Sequence, residues 1–284
     1  MRGSARAPGA ATVVNALATY RGAAFAVDIH TEATVELDGD ASGVTGEIAE
    51  GGDPALIERC VELVLEREGH DGGAYVETES EVPQASGLKS SSAAANAAVL
   101  ATYDALDRDV DRKEAARLGV EAARDAGVTV TGAFDDAAAS MLGGLAFTDN
   151  STDTLVEHRE FTSAVAVYVP DVETKSADAD VSRTKRLASV VDTAYELGLD
   201  GDVATAMTVN GLAYCAALDF DPLPAVTALE HADGAGLSGT GPSFAAIADE
   251  DTVSKVTREW RNLPGTTMAL KTDSQGASTT SGGT

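Results

Sequence analysis

The stretch from Ala74 to Leu106 constrains this chain most. Ala74 to Val82 alternates Ala, Val and Thr with Tyr and Glu, the period of a strand, and Pro83 ends it. A run of small residues follows, Gln84-Ala85-Ser86-Gly87-Leu88-Lys89-Ser90-Ser91-Ser92. Ala93 to Leu106 is then rich in Ala and free of Gly and Pro, so it predicts a strong helix. A strand that feeds a helix through a small-residue loop is the unit of a layered α/β chain, which excludes all-helical and all-strand folds. Gly87 frees the backbone there, and small side chains let that backbone approach a ligand closely. The loop amides and the helix N-terminus would converge on one spot, an arrangement that binds phosphate. Lys89 adds a mobile cation, and a Ser hydroxyl can join phosphate oxygens around Mg2+. It is not a Walker A loop, because Pro83 and Leu88 stand where that pattern needs Gly. A flexible Ser/Gly connection is the plain alternative.

The rest of the chain repeats both periods. Thr12 to Thr19 and Ala23 to Leu37 read as strands, and Asp38-Gly39-Asp40 as a turn. Pro54 to Glu68 reads as a helix with Asp53 before it as N-cap, and Arg112 to Ala126 as another stopped by Gly127. Asp135 to Leu142 predicts a short helix and Leu145 to Thr148 a strand. The polar break Asp149-Asn150-Ser151-Thr152-Asp153 marks the expected boundary between a domain of residues 1–150 and one of 151–272. In the second, Ala164 to Val169 and Ser243 to Ala248 predict strands. Helices are expected near Thr184 to Leu197, Val203 to Leu218, Leu223 to Ala232 and Thr252 to Trp260, with a last strand at Thr266 to Thr272. Residues 273–284 are mostly Ser, Thr, Gly and Gln and are expected to be disordered.

Charge narrows the function. Twenty Lys and Arg against 46 Asp and Glu leave a net charge of −26, spread over all 284 residues. That opposes nucleic-acid binding, which depends on neutralising phosphates with cations. With only 6 Lys against 14 Arg, it reads as adaptation to high intracellular salt, which screens self-repulsion. No apolar run approaches the roughly 18 residues that span a bilayer, and the N-terminus lacks a secretory apolar segment. A soluble cytoplasmic protein with no membrane partner is expected. Cys60 and Cys215 are far apart and read as structural thiols, and the four histidines show no pairing at metal or catalytic spacing.

Two further segments carry chemistry. Gly234-Ala235-Gly236-Leu237-Ser238-Gly239-Thr240-Gly241-Pro242 suggests a loop held against another backbone or a nucleotide, or a generous turn. Gly132-Ala133-Phe134-Asp135-Asp136-Ala137 puts adjacent acids at a turn-to-helix junction, as a general base, a metal contact or an N-cap.

Together and in this order, the three segments resemble the GHMP kinases (galactokinase, homoserine kinase, mevalonate kinase and phosphomevalonate kinase). Ala5-Arg6-Ala7-Pro8-Gly9 is similar to that family's first motif, Pro83 to Ala93 to its second, PxxxGLGSSAA, and Gly236 to Ser243 to its third. Ala10 stands where many members have Lys, Ala85 where Gly is usual, and Lys89 replaces the second Gly of GLG. The variant Gly87 to Ala93, with Thr129 to Ala137, is most similar to the archaeal branch that phosphorylates shikimate.

The resemblance implies a two-lobed α/β fold (α+β, two-layer) with a first lobe like ribosomal protein S5 domain 2. It implies ATP and Mg2+ as cofactors and shikimate as substrate, and it is compatible with a homodimer. The ATP phosphates would lie over Pro83, Gln84, Ala85, Ser86, Gly87, Leu88, Lys89, Ser90, Ser91, Ser92 and Ala93. Ser91 would contact Mg2+, with Glu121, or else Asp125, as its acidic partner. Asp135 is the better match to the catalytic or substrate-orienting Asp, while counting back from Gly143 selects Asp136. Lys89 would offset charge on the transferring phosphoryl, or else be an exposed loop lysine. Gly239 and Thr240 would face the substrate. A substrate carboxylate calls for a cation, and the densest basic cluster makes Arg183 the candidate, unless it only balances Asp178 and Asp180. Homoserine kinase and a sensor that has lost catalysis stay open as alternatives.

Overall fold

The computed structural model describes residues 1–83, 86–129, 131–171 and 181–280. Two sheets carry the molecule. In the first, β1 (Arg2–Val14), β2 (Arg21–Asp38) and β4 (Gly73–Ser80) are antiparallel, and β3 (Val44–Ile48) lies parallel to β4 at one edge. The far end of β2 pairs with β5 (Leu145–Asp149), which continues to β6 (Thr154–Arg159). The second sheet is antiparallel in the order β10 (Gly265–Lys271), β7 (Ala164–Pro170), β9 (Phe244–Ala248), β8 (Gly234–Leu237).

Helices α1 (Ala55–Glu68), α2 (Ser90–Ala105), α3 (Arg112–Asp125) and α4 (Phe134–Leu142) cover the first sheet. Helix α2 is central, packed between β1 and β2 and its neighbours α1, α3 and α4. That explains its alanines: a helix buried on nearly all sides needs small apolar residues all round rather than one stripe. Gly3 of β1 permits the contact, since a Cβ there would lie 2.2 Å from Ala105 N. The second lobe holds α5 (Ala188–Leu199), α6 (Val203–Leu218), α7 (Leu223–Ala228) and α8 (Glu250–Trp260). Its core joins Val165, Val167, Tyr195, Met207, Tyr214 and Trp260 with Phe25 and Phe147 of the first sheet, so apolar packing bridges the lobes. Among the described residues no helix is long and apolar enough to cross a membrane.

Several expectations change. The first strand begins at Arg2 and ends at Val14, and residues 15–18 turn toward β2. Strands β3 and β6 were not expected: both are short edge strands with no fully buried position, alternating only between exposed and half-buried residues, so their signal is weak. The polar break 149–153 turns the β5–β6 hairpin, and the first sheet runs on to Arg159. The tail expected to be disordered is structured through residue 280. Gly144 N–H donates to Asp273 O, Ala277 is buried, and β11 (Ser278–Thr279) pairs with β1. Small size makes this fit, because a Cβ on Gly276 would sit 2.5 Å from Gly143 N. Composition alone misread a segment that docks by backbone contact.

Candidate active site

The loop after β4 is clamped from both lobes. Ala10 N–H of β1 donates to Leu88 O at 3.1 Å, and Ser243 N–H donates to Ser86 O at 3.1 Å. Ser238 Oγ donates to Gly87 O at 2.8 Å and accepts from Thr12 N–H at 3.3 Å. Gly87 has φ +86°, and a Cβ there would meet Ser238 O at 2.4 Å, so only glycine fits. Leu88 is buried as the anchor. Lys89 follows with φ 66° and ψ 35°, a left-handed conformation that costs a non-glycine residue about 1 kcal/mol. No side chain caps α2. Its first N–H groups, from Ser90 to Ser92, have no helical partner and open onto the adjoining cavity, as an anion site requires.

The cavity encloses about 360 Å³. One wall is Gly87, Lys89 and Ser90–Ser92. The others are residues 15–17, the α3 face of Gly119, Val120 and Ala123, the start of α4, and Gly239 with Thr240. The glycine-rich segment therefore splits in two. Gly234 and Gly236 lie in β8 against α6, where a Cβ on Gly236 would meet Met207 O at 2.6 Å. Gly239 (φ +61°) and Gly241 (φ +80°) form the loop, and Gly239 packs directly on the Lys89 ammonium.

Both acids of α4 are buried at the cavity. Neither caps the helix, because Ala133, in a left-handed conformation, stands at the cap position. Asp136 Oδ2 pairs with Lys89 Nζ at 3.0 Å, and its Oδ1 is buried with no hydrogen-bond partner. Burial, followed by the charge of Asp135, pushes the Asp136 carboxyl up to about 7, with Lys89 pulling the other way. Asp135 Oδ1 accepts a 2.7 Å hydrogen bond from Asn150 Nδ2. Arg124 braces the loop before α4: its guanidinium holds Asp153 at 2.7 and 2.8 Å and covers Gly132, where a Cβ would collide with it at 2.2 Å.

Of the residues expected over the phosphates, Gly87, Lys89, Ser90, Ser91 and Ser92 line the cavity. Pro83, Ser86, Leu88 and Ala93 shape the loop behind it, and Gln84 and Ala85 lie outside the described residues. Asp135, Asp136, Gly239 and Thr240 are at the cavity. Three residues are not. Glu121 points outward from α3, whose cavity face carries Gly119, Val120 and Ala123 instead. Asp125 is taken by Arg59 at 2.8 Å. Arg183 is exposed and donates to Ala216 O at 3.3 Å, near the C-terminal end of α6. Helical phase explains Glu121, since residues 119, 120 and 123 share one face and 121 falls on another. Lys89 is the one cation among the described lining residues. Sequence reasoning missed Thr12, Asn15, Gly22, Asn150 and Ser238. Of these only Ser238 lies within a motif, where it was given no role, and Asn150 sat in the presumed boundary.

The GHMP kinases N terminal domain matches residues 55–144 and the GHMP kinases C terminal domain matches residues 201–264. A protein of Halobacterium salinarum named shikimate kinase is 58% identical over 284 residues, covering 99% of this chain and 100% of that one. The chain belongs to the GHMP kinases. A shikimate kinase of Methanothrix thermoacetophila is 51% identical over 278 residues, 98% of this chain and 96% of its own length. Among solved structures, homoserine kinase from Cytophaga hutchinsonii superposes with a TM-score of 0.77 at 19% identity, covering 98% of this chain and 97% of that one. Mevalonate kinase of Methanococcus jannaschii gives 0.77 at 14% identity, over 95% and 98%. At such identities the structures establish the shared fold. As a GHMP kinase the chain takes ATP and phosphorylates a hydroxyl group of a small molecule, and the cavity between loop 86–92 and α4 is where its motif residues meet.

Proposed function

We propose that this chain phosphorylates shikimate, giving 3-phosphoshikimate and ADP. The observation that carries the reading is identity of 58% along the whole chain to a shikimate kinase, with Lys89 and Asp136 paired inside the cavity. The uncapped N-terminus of α2 and Lys89 would receive the triphosphate. The acceptor hydroxyl would sit against the unpartnered Asp136 Oδ1. As the acceptor oxygen bonds to the γ-phosphorus, the bond to the β-bridging oxygen breaks. The hydroxyl proton passes to Asp136 and ADP leaves. A carboxyl raised toward neutrality suits that task, because a base works best with a pKa near the working pH. Catalysis is otherwise positioning and charge neutralisation.

Mg2+ belongs to this reading. Asp135 and Asp136 against Lys89 leave the cavity negative before a polyphosphate enters, so the chemistry calls for a cation. Among the described residues no group of three acids, His or Cys could hold a metal alone. That suits Mg2+, which takes one or two protein oxygens and completes its shell with phosphates and water. The Ser91 hydroxyl lines the cavity and would hold it. When bound, the ion would neutralise phosphate charge.

Phosphorylation of homoserine is the alternative within the same chemistry, and the Cytophaga hutchinsonii superposition shows only that its kinase shares this fold. An inactive sensor is disfavoured by the buried Lys89–Asp136 pair. The test is ADP release with shikimate, homoserine and mevalonate in high salt. Turnover of shikimate alone is expected, and turnover of homoserine but not shikimate would overturn the reading.

A further inference from the structure

Two adjacent carboxylates in one cavity are redundant if one takes the proton, and their surroundings differ. Asp136 faces Lys89 and the phosphate loop. Asp135, about 100° around the helix, faces the first sheet. There Asn150 Nδ2 donates to its Oδ1 at 2.7 Å, and Asn150 Oδ1 accepts from Thr148 Oγ1 at 2.7 Å, which fixes the amide as a donor to Asp135. Asn150 and Thr148 are buried. Asp135 Oδ2 lies over Gly22, where a Cβ would approach it to 2.5 Å, beside Ala16. Ala16 and Leu17 line the same cavity, in a turn held by the second lobe. Asn15 N–H donates to Asn210 Oδ1 at 3.0 Å, and Tyr214 O–H donates to Asn15 O at 3.0 Å.

Asp135 is thus a buried carboxylate with a neutral amide on one oxygen and, among the described residues, no cation paired with it. A buried charge without a counterion is costly unless its lone pairs are used. A carboxylate can accept about four hydrogen bonds, and the direct hydrogen bond shown here is Asn150's. The missing donors fit hydroxyls of a ligand on the 15–17 side of the cavity.

We propose that Asp135 binds a second hydroxyl of the acceptor, next to the one phosphorylated, so that the site selects vicinal diols. This rests on the reading above, in which the phosphorylated hydroxyl is at Asp136. On shikimate the neighbour of the C3 hydroxyl is the C4 hydroxyl. Homoserine has none, so the same contact rejects it. Asn150 is a positioning residue that sets the angle of Asp135.

The test is steady-state kinetics of the full chain with shikimate, 4-deoxyshikimate and 5-deoxyshikimate, for wild type, Asp135→Asn and Asn150→Ala. A hydrogen bond to a charged group is worth roughly a 10- to 100-fold change. Wild type should lose that factor in kcat/KM on 4-deoxyshikimate, with little loss on the 5-deoxy compound. Asp135→Asn should lose it on shikimate, and its kcat/KM ratio between shikimate and 4-deoxyshikimate should fall toward one, with little change in KM for ATP. Asn150→Ala, which keeps the charge but unseats it, should show a smaller loss of the same selectivity. Equal losses on all three acceptors, or wild type indifferent to the C4 hydroxyl, overturn the proposal while shikimate phosphorylation stands. If wild type does not turn over shikimate, the functional reading itself fails.

Discussion

Replacing Gly22 by alanine probes the site without removing a polar group. Gly22 lies in the extended backbone of β2, so the substitution adds no backbone strain and even gains about 0.5 kcal/mol by restricting the unfolded chain. The new methyl would meet Asp135 Oδ2 at 2.5 Å, Asp135 Cγ at 2.6 Å and Ala16 Cβ at 3.0 Å. Comfortable contacts between carbon atoms begin near 3.5 Å, so the carboxylate must retreat by roughly 1 Å. It cannot do so freely, because Asn150 holds it at 2.7 Å. Overpacking of this kind costs about 1–3 kcal/mol, which less that gain leaves a net loss of roughly 1.5 kcal/mol and a folded protein. A misplacement of about 1 Å in a group that positions the substrate can cost on the order of 100-fold in rate. We expect kcat/KM for the acceptor to fall by roughly that factor in an ADP-release assay, with nucleotide affinity by titration little changed. A folded variant with wild-type acceptor kinetics would refute the reasoning.

Asp136→Asn should lower kcat by roughly 100-fold or more. Wild-type kcat/KM should rise as pH climbs through about 7, where Asp136 ionises, and the variant should lack that limb. The linked stability runs the other way. A carboxyl raised on folding contributes most below its ordinary range near 4, and that contribution is lost as pH rises through about 7. Ligand-free Tm should therefore fall between pH 5 and pH 8, less so in the variant. Lys89→Met removes the charge that pulls the Asp136 carboxyl down, so the pH limb should move to higher pH and kcat should drop; an unmoved limb would remove Lys89 from this role. Gly211→Ala would put a Cβ 2.3 Å from Gly236 Cα and force α6 off β8. A loss of about 3 kcal/mol in denaturant unfolding is expected.

The elements legible from sequence are those whose pattern is local and strong. Helix α2 announced itself by an uninterrupted alanine run, and the loop before it by small residues after a strand. What escaped was non-local. Strand β6 has a polar sequence and exists because β5 offers it an edge. Residues 273–280 looked like a disordered tail, yet they pack because Gly143 and Gly276 let two backbones touch. Spread acidity read as salt adaptation agrees with the likeness to a Halobacterium salinarum protein.

At the site, the motif order was enough to bring the phosphate loop, the acidic pair and the Gly239–Thr240 loop to one chemistry, because each motif serves a local backbone conformation. Which acid does what was left open by two neighbouring aspartates of identical type. Their separation into a lysine-paired Asp136 and an amide-anchored Asp135 depends on Lys89 and Asn150, which reach them from other elements. Glu121 and Arg183 lie away from the cavity for the same reason: a side chain's type can be read along the chain, but its direction is set by helical phase and by the neighbour it packs against. Burial then supplies what no composition encodes, an environment dry enough to lift one carboxyl toward neutrality.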